Sequence, residues 1–394
     1  MKVEDALPFA PPQPASAEPR VFDTPDFRLA GAGYDLRYRW HAGWTLALPF
    51  DCEELGSQTN ELAFPGEPDA PPPAALSLLR AYIRKQPVVR IEGPPPDATS
   101  AADVIPEMGA AALVGQAVRK RVDEFLRFDV LIRFRGEAED VHRARSAIRK
   151  LRAVLRGFRW FLDRRRVEAL RSDLRWLAGE LGAIRDADVA LAGLRDRAQR
   201  LPETDAPYVG QALEPLLRTR ETARRRLDHA LDGDRYFALL DRTEAFAALP
   251  TTRGECAALT AGELAERTLR KNAKKLRKAV RKAQTDSEPR ALHRVRIRVR
   301  NGRYAAEACA GVAGKRAERL AKRLHRLQDA LGAINDASFI QDRLRDATAT
   351  QPRASLVAGE LLAYEAAEGE KARCVWKRLR RKALRKDWIA TSRA

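Results

Sequence analysis

The chain is poor in the residues from which metal and disulfide frameworks are built. Its four cysteines, Cys52, Cys256, Cys309 and Cys374, lie far apart and form no C-x-x-C pair. That argues against zinc ribbons and a disulfide scaffold, and for a reducing cytoplasmic compartment. No apolar run approaches the roughly 18 residues needed to cross a bilayer, so no membrane partner is expected. Met1 to Pro14 lacks the charged-then-apolar order of a secretion signal. Aromatic residues make up only 7% of the chain, which leaves few platforms for stacking nucleic-acid bases. What the chain has in excess is positive charge: 73 Lys and Arg against 54 Asp and Glu, a formal +19 over 394 residues. A hydrophobic content of 45% still fits a folded protein of two to three domains' length.

The charge is unevenly placed. Residues 1–107 hold 9 basic and 16 acidic side chains, the remainder 64 and 38. Of the 23 prolines, 17 fall before residue 108. Two modules follow: an acidic, proline-rich segment over 1–107 and a basic, helix-rich domain over 108–394. A cationic excess this large repels itself unless an anionic partner relieves it.

In the first module, Gly33–Arg39 and Trp44–Leu48 alternate in character and predict two strands joined by a turn at His41-Ala42-Gly43. Pro71-Pro72-Pro73 and Pro94-Pro95-Pro96 mark linkers, and Ala74–Lys85 between them predicts one short helix. So few strands predict no closed barrel. The run Phe22-Asp23-Thr24-Pro25-Asp26, with Leu29, Gly33, Leu36-Arg37-Tyr38-Arg39 and Trp44, resembles the CYTH (triphosphate tunnel) family. That resemblance implies an antiparallel tunnel acting on triphosphates, with an opening E-x-E-x-K strand whose glutamates hold a metal. Here Glu4 and Asp5 are adjacent, whereas only i, i+2 spacing puts two carboxylates on one face of a strand. The family's lysine after the W-x-L-T-L strand falls on Pro49, and the later basic positions fall near Thr59 and Asn60. Arg37 and Arg39 share a strand face, but the metal ligands are missing. The module therefore reads as a small α+β or β-hairpin remnant without activity.

The second module is duplicated. Val141–Arg152 (V-H-R-A-R-S-A-I-R-K-L-R) matches Leu292–Arg303 (L-H-R-V-R-I-R-V-R-N-G-R), placing His142 on His293, Arg145 on Arg296, Arg149 on Arg300 and Arg152 on Arg303. Arg119-Lys120 falls on Arg270-Lys271 at the same offset. Leu181-Gly182-Ala183-Ile184-Arg185-Asp186-Ala187 falls on Leu331-Gly332-Ala333-Ile334-Asn335-Asp336-Ala337, and Pro202 on Pro352. Copy one runs over about 108–248 and copy two over about 252–390. Helices are predicted over 108–133, 138–162, 166–199 and 208–240, and again over 255–284, 290–310, 314–348 and 353–386. Gly136, Pro202, Pro207, Pro250, Pro289, Gly311, Gly314 and Pro352 separate them. The expected fold is mainly α: two pseudo-symmetric four-helix bundles.

At about 100° per residue, His142, Arg145, Arg149, Arg152 and Arg156 fall within one roughly 80° stripe, with Ala144, Ile148, Leu151, Leu155 and Phe158 opposite. Copy two repeats the ridge with His293, Arg296, Arg300 and Arg303. Its first helix adds Arg270, Lys274, Arg277 and Arg281 at i, i+4, i+7 and i+11, with Lys271 beside them. No acid occurs from His142 to Leu162 or from Leu292 to Tyr304. Solvated helix faces usually mix signs, because i, i+4 pairs of opposite charge are mildly stabilising. A stripe without acids is a standing repulsion that a polyanion relieves. Arginine suits that role, since its planar fork grips two phosphate oxygens and stays charged.

Gly182 and Gly332 inside helices predict close helix contact. Asp186 and Asp336 predict pairing with an arginine of a neighbouring helix. His325 is expected to join the basic surface, and so is the run Lys377-Arg378-Leu379-Arg380-Arg381-Lys382. His41 and His229 have no counterpart in the repeat and read as structural or exposed.

The paired H-x-x-R-x-x-x-R ridges and paired L-G-x-x-[RN]-D-A segments, from about Met108 onward, resemble the CHAD family of histidine-bearing α-helical domains. That resemblance implies two four-helix bundles, binding of inorganic polyphosphate along a basic surface, and recruitment to polyphosphate granules. Carried over by position, the binding residues are Arg119, Lys120, His142, Arg145, Arg149, Arg152, Arg270, Lys271, Lys274, Arg277, His293, Arg296, Arg300 and Arg303. In copy one, Asp123 and Glu124 interrupt the basic run of the first helix, so the site is expected to lean toward copy two. The leading expectation is polyphosphate binding without catalysis, cofactor or metal. The alternatives are a metal-dependent inorganic triphosphatase in the first module, testable at Arg37 and Arg39, and general nucleic-acid binding. Phosphate contacts alone give salt-sensitive affinity for any polyanion, so weak, non-specific nucleic-acid binding is expected as a by-product.

Overall fold

The computed structural model describes residues 18–50, 60–92, 103–198, 206–285, 289–348, 366–367 and 369–381. Pro94 to Pro96, Pro202, Pro352, Cys52, Thr59, Lys382 and the start of the predicted 353–386 helix lie outside them, as do the side chains of Asn335 and Asp336. The protein is mainly helical, with a small antiparallel sheet near its N-terminus. Its residues divide into two units: Met1–Ala102, Lys120–Arg149 and Ser172–Glu244 in one, Asp103–Arg119, Lys150–Arg171 and Ala245–Ala394 in the other.

The first unit holds the sheet, in strand order β4-β3-β2-β1-β5. Its strands are β1 (Arg20–Asp23), β2 (Asp35–Arg39), β3 (Gly43–Ala47), β4 (Glu61–Phe64) and β5 (Val89–Ile91). The expected hairpin is β2 and β3, closing on the Arg39–Gly43 pair, with Gly43 at φ 70° in the turn. The sequence predicts only β2 and β3; β1, β4 and β5 have four, four and three residues and become legible through pairing with β2, β3 and β1. Leu36, Trp44 and Leu46 are fully buried, together with Leu29 of α1 (Arg28–Gly31). Phe22 meets Trp44 at 4.6 Å between ring centroids. The buried Asp23 carboxylate accepts from the amides of Thr24, Leu29 and Ala30 at 2.6, 2.9 and 2.9 Å, satisfying the start of α1. The single helix expected over 74–85 is two, α2 (Pro73–Leu78) and α3 (Arg80–Ile83), parted at Leu79.

The long helices are α4 (Ala110–Phe134), α5 (Ala138–Gly157), α6 (Arg164–Ala198), α7 (Ala206–Leu231), α8 (Asp234–Ala248), α9 (Ala261–Thr285), α10 (Pro289–Ala308) and α11 (Ala310–Thr348). Both ends of α4 and α5 recur 151 residues later in α9 and α10, and the end of α6 recurs 150 later in α11. The duplication read from the sequence is thus present in the helix lengths. The predicted 208–240 helix is interrupted at Asp232-Gly233, where Gly233 donates to Ala230 O at 3.3 Å and α8 starts afresh. The break expected near Gly314 is a kink within α11, with Gly314 at φ 58°. A left-handed Gly136 (φ 63°) ends α4, and the Arg224 side chain donates to Ile132 O at 2.9 Å there, closing an orphan carbonyl of the last turn.

Candidate anion-binding site

Helix α5 sorts its side chains as its periodicity requires. Val141, Ala144, Ala147, Ile148, Leu151, Val154, Leu155 and Phe158 are buried. His142, Arg145, Arg149 and Arg152 are half-buried on the other side, and Arg156 is exposed. The apolar face holds the helix in place, so the stripe is presented on a rigid element.

In the first unit, His142, Arg145 and Arg149 of α5 meet Arg185 of α6. Burial, then the Arg185 guanidinium, holds the His142 imidazole below its ordinary value. Arg149 and Arg145 push the same way, against Glu139. Arg145 reaches Asp186 at 3.1 Å, the arginine pairing expected for this aspartate. Arg149 donates to Ser146 Oγ at 3.2 Å, while its buried Nε has no hydrogen-bond partner. A buried donor left unpaired in a cationic setting is what an anion would satisfy. The close helix contact expected at Gly182 and Gly332 is not needed. A Cβ at Gly182 would sit 3.7 Å from the Arg145 guanidinium, in ordinary contact, and one at Gly332 would meet nothing within 4 Å.

In the second unit, three helices bring cations together. Arg156 of α5, Lys271 and Lys275 of α9 and Arg298 of α10 gather with Arg159. The Lys275 ammonium is held below its ordinary value by burial first and then by Arg298, Lys271, Arg156 and Arg159. The Arg156 guanidinium is lowered by burial, then by Arg298, Arg171 and Arg159, with Glu168 opposing. Glu168 is already engaged by Arg159 at 3.1 Å and by Arg171 at 2.8 Å. Among the described residues, Arg156, Lys275 and Arg298 form no ion pair. Lys271 places its Nζ 3.5 Å from the Trp160 ring centroid, and burial lowers its ammonium too.

The other sequence-derived positions differ in exposure. Arg119 and Lys120 are exposed on α4, and Lys274 and His293 are exposed on α9 and α10. Arg152, Arg277, Arg296 and Arg300 are half-buried. Arg270 pairs with Glu266 one turn back on its own helix. Arg303 is 13% exposed, pairs with Glu307 at 2.9 Å and lies 4.9 Å from the Tyr304 ring centroid. The second unit's cluster of Arg156, Lys271, Lys275 and Arg298 shares Lys271 with the sequence-derived positions. The sequence reading missed Lys275, Arg298, Arg159 and Arg185 as site residues. Their signal was present, since Arg159 falls in the acid-free run and Lys275 follows Lys271 at i+4. His325 pairs with Asp329 at 2.8 Å, which ties it to an acid, while His41 and His229 are exposed. Residues 377–381 are helical. In the sheet, Arg37 pairs with Asp35, and Arg39 with Glu61 at 3.1 Å. Among the described residues, no three His, Cys, Asp or Glu side chains group as a metal site, and no helix is long and apolar enough to cross a membrane.

These features define a helical domain in which, among the described residues, Arg156, Lys275 and Arg298 form no ion pair and come from three helices. Residues 116–345 match the CHAD domain, and the chain belongs to that family. It is 34% identical over 204 residues to Uncharacterized protein MT2285 and to Uncharacterized protein Rv2226, from two strains of Mycobacterium tuberculosis. The match covers 50% of this chain and 39% of either relative, so the likeness spans well under half of those proteins. In fold, the chain is similar to the CHAD domain from the plant Ricinus communis, with a TM-score of 0.54 and 23% identity over 75% of this chain and 96% of that one. It is similarly related to PptA from Streptomyces chartreusis, with a TM-score of 0.54 and 23% identity over 69% of this chain and 99% of the other.

Proposed function

We propose that the protein binds inorganic polyphosphate through its clustered Arg, Lys and His side chains, without catalysing a reaction. The observation that carries this reading is the second unit's cluster. Arg156, Lys275 and Arg298 come from three helices and repel one another, and among the described residues none of them forms an ion pair, Glu168 acting on Arg156 only at a distance. A chain of phosphates supplies the missing charge and asks for no base recognition. Membership of the CHAD family, associated in general with polyphosphate, supports the same partner. In the first unit, His142, Arg145, Arg149 and Arg185 form a cationic cluster of the same chemistry. On this reading the helical duplication makes two pseudo-symmetric bundles. Residues 1–107 are a reduced triphosphate-tunnel-like segment, and the protein works in the cytoplasm on polyphosphate granules.

The test is calorimetric titration with long-chain polyphosphate at about 0.15 M salt, where bulk screening is substantial, against duplex DNA of equal charge. Polyphosphate is expected to bind at least tenfold more tightly, and Arg149→Ala with Arg298→Ala to remove that margin. Equal competition by DNA would reduce the clusters to a general cation surface. Sustained phosphate release from tripolyphosphate with added Mg²⁺, lost in Arg37→Ala with Arg39→Ala, would restore an enzymatic role to the first module.

A further inference from the structure

Trp160 follows the last turn of α5, and the fold brings its indole against the second unit's cation cluster. Lys271 Nζ lies 3.5 Å from the ring centroid. The ring is fixed in place: its Nε1 donates to Oγ1 of the fully buried Thr268 at 3.3 Å, and the buried Phe161 meets it edge-on at 6.3 Å. The indole is half-buried, so part of it reaches solvent. Lys271, which covers it, has no carboxylate partner among the described residues; burial disfavours its charge, Cys256 favours it and Arg267 repels it. An ammonium held only by a ring is free to turn to a phosphate, and its departure uncovers an aromatic face next to a lysine that shares its electrostatic surroundings with Lys275, on which Arg298 and Arg156 also act.

We propose that this corner is a site for nucleoside polyphosphates. The base stacks on the face of Trp160 that Lys271 covers, and the phosphates lie among Lys271, Lys275, Arg156 and Arg298. The inference rests on the phosphate-binding reading and adds to it a ligand class set by the indole. An exposed cation–π contact is worth about two- to fivefold in affinity. The ammonium recovers that on a phosphate oxygen, while a stacked base contributes about fivefold to a hundredfold. A net preference of about tenfold for a nucleoside triphosphate over tripolyphosphate of similar charge follows. It carries little dependence on which base is present, because every base offers a π-face.

The experiment titrates the full chain with adenosine triphosphate, guanosine triphosphate and tripolyphosphate in the same buffer, by calorimetry. Both nucleotides are expected to bind about tenfold more tightly than tripolyphosphate. Trp160→Leu is expected to bring them down to the tripolyphosphate value, and Trp160→Phe, which keeps a smaller ring, to retain part of the margin. Lys275→Gln is expected to weaken all three alike. Nucleotides binding no better than tripolyphosphate would overturn this inference and leave the phosphate site standing. So would a margin that survives in Trp160→Leu, or a single-stranded oligonucleotide competing as well as the nucleotides at equal phosphate. Failure of tripolyphosphate and nucleotides alike would instead remove the phosphate site itself.

Discussion

Arg145 of α5 reaches Asp186 of α6 at 3.1 Å, so the acid-free ridge borrows a carboxylate from the next helix. Asp186 is 75% exposed, and an ion pair so open to water stabilises by well under about 1 kcal/mol. Its larger effect is on charge, since it competes with any anion for Arg145. Asp186→Asn is therefore expected to raise polyphosphate affinity about two- to fivefold at low salt, while the thermal midpoint moves by no more than a degree or so. Titration of both forms at about 0.05 and 0.3 M salt checks this, because the gain should shrink as screening increases.

His142 gives the protein a pH dependence whose sign follows from its surroundings. Burial and the neighbouring Arg185, Arg149 and Arg145 hold its folded-state pKa below the ordinary 6.5. The unfolded chain thus binds the proton more readily than the folded one. Stability from this group is present above the unfolded value and is lost as pH falls through that value toward the folded one. A polyanion reverses the balance by favouring the imidazolium, so binding takes up a proton and tightens as pH falls. Calorimetry in buffers of different ionisation enthalpy should show net proton uptake near pH 6.5. His142→Gln should abolish most of that uptake and flatten the acid side of the stability profile.

The α5 ridge was legible because its apolar residues occupy a single face, leaving one direction for His142, Arg145 and Arg149. Helix α9 was not legible in the same way. Arg270, Lys274, Arg277 and Arg281 form one row, and Lys271, Lys275, Lys278 and Lys282 form the next, about 100° around. Basic residues on adjoining rows give no unique stripe. What selects Lys271 and Lys275 is their approach to Trp160 and Arg298, which no periodicity on α9 encodes. Arg298 is off the His293 ridge for the same reason. Strands β1, β4 and β5 escaped because three or four residues carry too little alternation to be read without their partners. The bounds of α4, α5, α9 and α10, by contrast, follow Gly136, Pro289 and the repeat offset closely, whereas Gly311 and Gly314 fall inside α11.

Two glycines predict opposite responses to alanine. At Gly115 in α4, a Cβ would lie 2.4 Å from the carbonyl oxygen of Ala247, a backbone atom that cannot swing away. Gly115→Ala should cost about 1–3 kcal/mol despite its better helix propensity. At Gly332 in α11 the same methyl would meet nothing within 4 Å among the described residues. Gly332→Ala should therefore stabilise by about 0.5–1 kcal/mol, by restricting the unfolded chain. Urea denaturation of both variants separates the two signs, and equal shifts would remove the claim that only Gly115 is held to glycine by close backbone packing.

Arg84 makes the chain between α3 and β5 depend on α8. Its guanidinium is 4% exposed and pairs with Asp241 and Glu244, and its backbone sits at φ 54°, a conformation that disfavours any residue with a Cβ. Arg84→Met keeps the length of the side chain and removes the charge. The two carboxylates are about half exposed, at 56% and 45%, and can return to water, so the loss should be nearer about 2 kcal/mol than the larger cost of orphaning a buried charge. Arg84→Gly loses the same pairs but relieves the backbone, and should fall less far. Chemical denaturation followed by far-ultraviolet circular dichroism orders the three chains, and Arg84→Gly below Arg84→Met would contradict the strain argument.

The second unit's cluster should make the ligand-free protein less stable than its charge-reduced variants. Arg156, Lys275 and Arg298 repel one another, only partly offset by Glu168 near Arg156, and among the described residues none forms an ion pair; like charges near a surface cost about 1 kcal/mol or more at low salt. Arg298→Gln removes one member and keeps much of the stem that packs on the helix. Without ligand its thermal midpoint should rise by about 1–3 °C. With saturating polyphosphate the order should invert, because a ligand that binds only the folded state stabilises in proportion to its affinity, and the variant binds more weakly. A scan of both proteins with and without polyphosphate therefore gives four midpoints whose order is fixed in advance. A variant that melts lower in the absence of ligand would show Arg298 to be held by its packing rather than by the need for an anion.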